Sequence, residues 1–130
     1  MLVLDENLPA AQRLLLRKWR IRFRTIGVDL TFSGTADNNL LPILHRLPRP
    51  TFFSLDRDFY RPAWAHRGYC LVWLDVPDDR AAEFIRRFLR HSAFATQAKR
   101  MGAVVRVHPE GLTHWKVATR TSTFVTWKAR

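Results

Sequence analysis

Cysteine occurs once, at Cys70, so the chain can form neither an internal disulfide nor a thiolate zinc site, and its stability has to come from packing. Acidic residues are scarce as well: 11 Asp and Glu face 22 Lys and Arg, a net charge of +11. No apolar run approaches the roughly 18 residues that span a bilayer, and Asp5 and Glu6 interrupt the amino terminus before a signal-peptide core could form. These absences lead us to expect a soluble, cytoplasmic domain with no membrane association. Neither a P-loop nor a dinucleotide glycine motif is present, and His45, His66, His91, His108 and His114 have no H-x3-H or H-E-x-x-H spacing. Repeats and low-complexity tracts are absent too.

What is present suffices for one folded domain over residues 1–130, with 47% hydrophobic residues and 12% aromatics. Met1 to Leu4 reads as a short strand that ends at an acid. A helix follows, capped at Asn7 or Leu8, with Pro9 in its first turn and Leu8, Ala11, Leu15 and Trp19 on its inner face. Ile21, Phe23 and Thr25 alternate with Arg22 and Arg24, the period of a strand. After a loop through Gly27 and Gly34, Leu40, Leu44 and Leu47 share a helical face; the helix starts among residues 37–39, and Pro42 argues for a late start. Strands are expected at 51–55 and 69–74, a short helix within 60–67, and an amphipathic helix from Arg80, capped by Asp78 or Asp79. Residues 103–107 and 112–127 read as strands of a terminal hairpin around Pro109-Glu110-Gly111. Alternating strands and helices predict an α/β fold with a mainly parallel central sheet and a C-terminal strand extension.

Parallel sheets bind ligands outside the carboxyl ends of their strands. Asp5, Asp56 and Asp75 each follow an apolar run there, and Asp37 opens a helix from the same edge. Each acid taken singly is an ordinary turn former or helix cap, and Asp75 belongs most plainly to such a loop. Together they form an oxygen-rich set suited to Mg2+ or Mn2+. Asp5-Glu6-Asn7-Leu8-Pro9, then Ala36-Asp37, then Ser54-Leu55-Asp56-Arg57-Asp58-Phe59 resemble, in order and spacing over residues 1–75, the short PIN-like family related to toxins of toxin-antitoxin pairs. The resemblance implies a three-layer PIN-like fold and a Mg2+- or Mn2+-dependent ribonuclease. It implies Asp5, Asp37 and Asp56 as metal ligands, Asp58 as a further catalytic carboxylate, and Glu6 and Ser54 in support. It also implies an antitoxin as partner, which the charge of this chain would make acidic. Two departures stand out: Asn38 and Asn39 follow Asp37 where the family usually continues with acids, and the helical glutamate of larger PIN domains has no counterpart except Glu6. They keep open a second reading, a PIN-like module with a weakened site that binds nucleic acid or protein.

A strongly basic folded domain is the footprint of a polyanion partner such as RNA, although 18 Arg against 4 Lys also fits an arginine-rich composition. Arg13, Arg17, Arg22, Arg24, Arg86, Arg87 and Arg90 are the candidates to guide an RNA backbone. Arg86 and His91 match the R-x4-H spacing of a metal-independent helical ribonuclease family, but the α/β pattern argues against that fold. Trp115 and Trp127, set among basic residues and threonines, could stack bases. Alternation within 112–117 and 121–127 suggests an edge to which a partner strand or a second copy of the chain could add.

Overall fold

The computed structural model describes residues 1–29 and 37–127, with residues 37–39 described by their backbone alone. Seven strands form one sheet: β1 (Leu2–Leu4), β2 (Arg24–Thr25), β3 (Thr51–Ser54), β4 (Cys70–Leu74), β5 (Ala103–His108), β6 (Gly111–Lys116) and β7 (Ser122–Thr126). Their order is β2-β1-β3-β4-β5-β6-β7. Pairings from β2 to β5 are parallel, whereas β6 and β7 add antiparallel. The architecture is therefore α/β on a mixed sheet. The expected second strand of the terminal hairpin is two strands, because the chain reverses after Lys116 and Arg120 takes a left-handed φ of 56° before β7 begins.

Among the described residues four α-helices accompany the sheet: α1 (Ala10–Lys18), α2 (Asp37–Arg46), α3 (Ala81–Arg90) and α4 (Gln97–Arg100). The expected helix within 60–67 is replaced by separate 3-10 turns, Arg57–Phe59 and Pro62–Trp64. A third such turn, Asp78–Arg80, precedes α3, so neither Asp78 nor Asp79 is its cap. Pro9 stands at the N-cap of α1, in place of Asn7 or Leu8. Helix α2 opens at Asp37, five residues ahead of Pro42, which lies in its interior. Leu8, just ahead of α1, is buried as expected, and Leu15 and Trp19 pack partly buried against the same core, but the fully inward positions of α1 are Gln12 and Leu16, and Ala11 is exposed. Gln12 is inside because it bonds another helix, a role that hydrophobic periodicity does not register. Among the described residues no helix is long and apolar enough to cross a membrane.

Successive strand residues point to opposite faces, and each face builds its own core. Leu4, Phe53, Val72 and Val105 face Leu16 of α1 and Phe84, Ile85 and Phe88 of α3. Val3, Phe52, Leu71 and Val104 face Leu40 and Leu44 of α2 together with Phe59. The molecule thus has three layers.

Helix α1 leads outward from β1 to β2, while α2 leads back from β2 across β1 to β3, so one shared hand puts them on opposite faces. Helix α3 leads from β4 to β5, in the direction of α2, and yet lies on the face of α1. The β4-to-β5 connection therefore has the opposite hand, a rarity where about 98% of such crossovers are right-handed. A buried bond fastens this arrangement: Gln12 Oε1 accepts the Ala82 N–H at 2.9 Å, serving one of the unpaired donors at the start of α3. Gln12→Ala should cost about 1–2 kcal/mol, read as a lower midpoint in urea unfolding, because it strands that buried donor.

Candidate functional site

The parallel strands reverse their direction of progression between β1 and β3, and such a switch point opens a crevice at the carboxyl ends of the two strands. The β1-β3 ladder extends one residue past β1, where the Asp5 N–H donates to the Phe53 carbonyl at 2.9 Å. At the end of β3, Ser54 is fully buried. Its hydroxyl donates to Asp5 Oδ2 at 2.7 Å and accepts from the Asp56 N–H at 3.0 Å and from Asn7 Nδ2 at 3.2 Å. One donor and two lone pairs are all a hydroxyl has, so Ser54 is saturated. Asn7 Oδ1 in turn accepts the Leu55 N–H at 3.4 Å. Asp56 Oδ1 accepts the Asp58 N–H at 2.9 Å and caps the 3-10 turn. Asp5, Asn7, Ser54 and Asp56 form one network across the switch point. Asn7, which the sequence suggested as a helix cap, is instead a connector between the two loops; its place inside the Asp5-to-Pro9 motif was the available signal.

Burial raises the pKa of Asp5, and the Glu6 charge adds to the rise. The Ser54 hydroxyl and the backbone N–H groups of Glu6 and Asn7 oppose it. A nearby cation would relieve the same penalty. The other acids are arranged differently. Asp58 is exposed, with Oδ1 4.0 Å from Arg61 Nη2. Glu6 is exposed and lies close against Gly27, where a Cβ would fall 2.5 Å from Glu6 Oε2 and where φ is +85°. Asp75 is taken up by Arg106, whose Nη2 approaches Asp75 Oδ2 to 2.6 Å. Asp37 begins α2 at the same edge of the sheet, and its side chain lies outside the described residues. Among the described residues no three His, Cys, Asp or Glu side chains group closely enough to hold a metal ion.

The basic candidates fall into separate places. Arg17, Arg22 and Arg24, with Arg20, line an open groove of about 720 Å3 beside Met1, Leu2 and Phe23, at the amino ends of β1 and β2. Arg13 is half-buried on α1. On α3, the Arg86 guanidinium stacks 3.6 Å above the Trp19 ring, and Arg87 lies 4.6 Å from the Trp127 ring centre. Arg87 and Arg90 line a smaller cleft with His91 and Trp127. Both ring nitrogens of His91 are engaged: Nδ1 accepts the Ala93 N–H, which leaves Nε2–H to donate to the Thr126 carbonyl. With Arg86 stacked and His91 buried, the R-x4-H pair is structural. Trp127 donates from Nε1 to the His108 carbonyl at 2.8 Å and packs on Phe84, so it too holds the fold together.

The fold and site define an α/β protein with two linked aspartates at a switch point of a mixed sheet. Comparison with protein-family models, curated proteins and solved structures found no match.

Because the folded pKa of Asp5 is raised, folding holds its proton more tightly. The stability this group contributes is present below the usual carboxylate range and is lost as the pH rises through the raised value. Asp5→Asn retains an acceptor for Ser54 and removes the buried charge. In EDTA it should raise Tm at neutral pH, by an amount that shrinks as the pH falls toward about 4. A Tm difference independent of pH would show that charge burial is not its source.

Proposed function

We propose that this chain is a PIN-like endoribonuclease that uses Mg2+ or Mn2+ and acts as the toxin of a toxin-antitoxin pair. The observation that carries the reading is the Ser54-centred network, which ties the Asp5 carboxylate to the backbone of Asp56, 51 residues away in sequence, at the carboxyl ends of β1 and β3. The three-layer arrangement agrees with it. The donor set fits a hard cation: Asp5 and Asp56 offer carboxylate oxygens, and Mg2+ is commonly bound through one or two carboxylates, with water and substrate phosphate completing its shell. Asp37 would supply a third from the start of α2. When bound, the cation would lower the pKa of a water and neutralise charge on the scissile phosphate.

The residues of the chain divide the remaining work. Asp5 and Asp56 would hold the cation and orient the attacking water. Ser54 orders the Asp5 carboxylate through its donated proton and the Asp56 backbone through its acceptor, which lowers the ordering left for the reaction. Asp58 shapes the rim through its bond to the Asp56 cap. An acidic antitoxin would be drawn to the net charge of +11 and could block the crevice. The alternative, a PIN-like module that binds without cutting, is favoured by one observation, the absence of a third grouped ligand among the described residues.

Cleavage of single-stranded RNA with Mn2+ or Mg2+ decides between the two. Wild type should cut, stop in EDTA, and lose at least about tenfold in kcat/KM in Asp5→Asn or Asp56→Asn. Ser54→Ala should lose less, because both carboxylates remain. RNA bound but uncut in both metals would establish the binding module.

A further inference from the structure

The charge of this molecule is sorted along the strand direction. All eleven acidic residues lie in segments that leave the carboxyl ends of β1 to β5, or in the first turn of the helix that follows. The segments that lead into the amino ends of β2 to β5, and the β6-β7 turn beside them, contain no Asp or Glu. They carry Arg20, Arg22, Arg49, Arg67, Arg100 and Arg120. Helix dipoles explain part of this pattern, since cations in the last turn of α1, such as Arg17, complement its negative end. They do not explain Arg22 and Arg24, which lie beyond any helix. Nor do they explain the backbone at Arg20.

Helix α1 ends in a Schellman motif: Arg20 N–H bonds the Arg17 carbonyl at 2.9 Å and Ile21 N–H bonds the Leu16 carbonyl at 3.0 Å. The position after the cap needs a left-handed residue and is usually glycine, but here it is Arg20, at φ 62°. A non-glycine residue there costs on the order of 1 kcal/mol. The guanidinium obtained lines the groove with those of Arg17, Arg22 and Arg24, all exposed. Among the described residues that line it the one acid, Asp29, accepts the Thr25 N–H at 3.0 Å. Phe23 lines the same groove, with Arg17 stacked 5.1 Å from its ring centre.

We propose that this groove at the amino edge of the sheet, on the opposite end of the strands from the linked aspartates, binds the phosphodiester backbone of single-stranded nucleic acid. Four exposed guanidinium groups provide phosphate donors, and Arg20 adds its charge at the cost of a left-handed backbone. The inference deepens the ribonuclease reading by assigning where substrate is held, but the binding it describes does not require cleavage.

The test measures binding of a labelled oligouridine by fluorescence anisotropy in EDTA, in the Asp5→Asn background, so that no cutting can intervene. Arg22→Gln with Arg24→Gln should weaken binding at least tenfold and reduce the slope of log K against log salt by about 1.4, two phosphate contacts on a single strand. Arg57→Gln with Arg61→Gln, an equal charge change at the carboxyl edge, should change affinity less than threefold. Arg20→Gly should raise Tm and lower affinity together, a combination that a purely structural role would not give. Equal losses in the two double variants, or an Arg20→Gly protein that binds as tightly as its parent, would overturn the proposal. So would polyglutamate binding that exceeds oligouridine binding and depends on the same arginines, which would mark the groove as a protein contact. Failure here leaves the carboxyl-edge nuclease untouched, and intact binding without any cleavage by wild type removes the nuclease and leaves the groove.

Discussion

The parallel pairing of β1 with β3 is the constraint from which the rest of this molecule follows. It makes the strand order turn back on itself, so that the chain leaves β1 toward one side of the sheet and β3 toward the other, and a crevice opens between the two departures. Ser54, buried at the end of β3, spends its whole hydrogen-bonding capacity on that crevice. Its donor goes to the loop after β1 and one of its acceptor positions to the loop after its own strand. A buried hydroxyl with all three positions filled ties the Asp5 carboxylate, the Asn7 amide and the Asp56 backbone to the end of one strand.

The same topology sorts charge. Because every helix that links two parallel strands runs opposite to them, helix N-termini and strand carboxyl ends share one edge, and helix C-termini share the other. Acids favour the first edge and bases the second on dipole grounds alone. A chain with twice as many bases as acids then concentrates its excess at the second edge, where Asp29 is the one acid among the described residues lining the groove. The result is a polar molecule with the Asp5–Ser54–Asp56 network at one end of the strands and an arginine-lined groove at the other.

The crossover of unusual hand has a counterpart in packing. With α3 on the face of α1, the two helices and the inner faces of β1, β3, β4 and β5 enclose one apolar layer, and Trp19 and Trp127 close its rim beneath Arg86 and Arg87. Arg86 and Arg87 of α3 are thereby engaged with aromatic rings, as Arg17 is with Phe23 in the groove at the end of α1. Three of the seven arginines singled out as RNA contacts, Arg17, Arg22 and Arg24, line that groove.

The sequence alone determined the α/β class, strands at 51–55 and 69–74 that the structure trims to Thr51–Ser54 and Cys70–Leu74, and a helix from Arg80 that begins at Ala81, because short apolar runs ending at acids and a strong 3.6-residue period are local signals. It also marked Asp5, Ser54 and Asp56 as neighbours of strand ends. Tertiary structure decided what no local pattern encodes. Gln12 is inside because its partner is Ala82, 70 residues away. Asp75 is neutralised because Arg106 lies on the adjacent strand, and His91 is committed because β7 presents the Thr126 carbonyl to it. Arg20 joins Arg22 and Arg24 in one groove because a helix cap and a strand meet at the amino edge. Periodicity reports which side of an element is apolar, but a hydrogen bond or an ion pair between distant residues exists only once the chain has closed the loop between them, and that closure is a property of the whole fold.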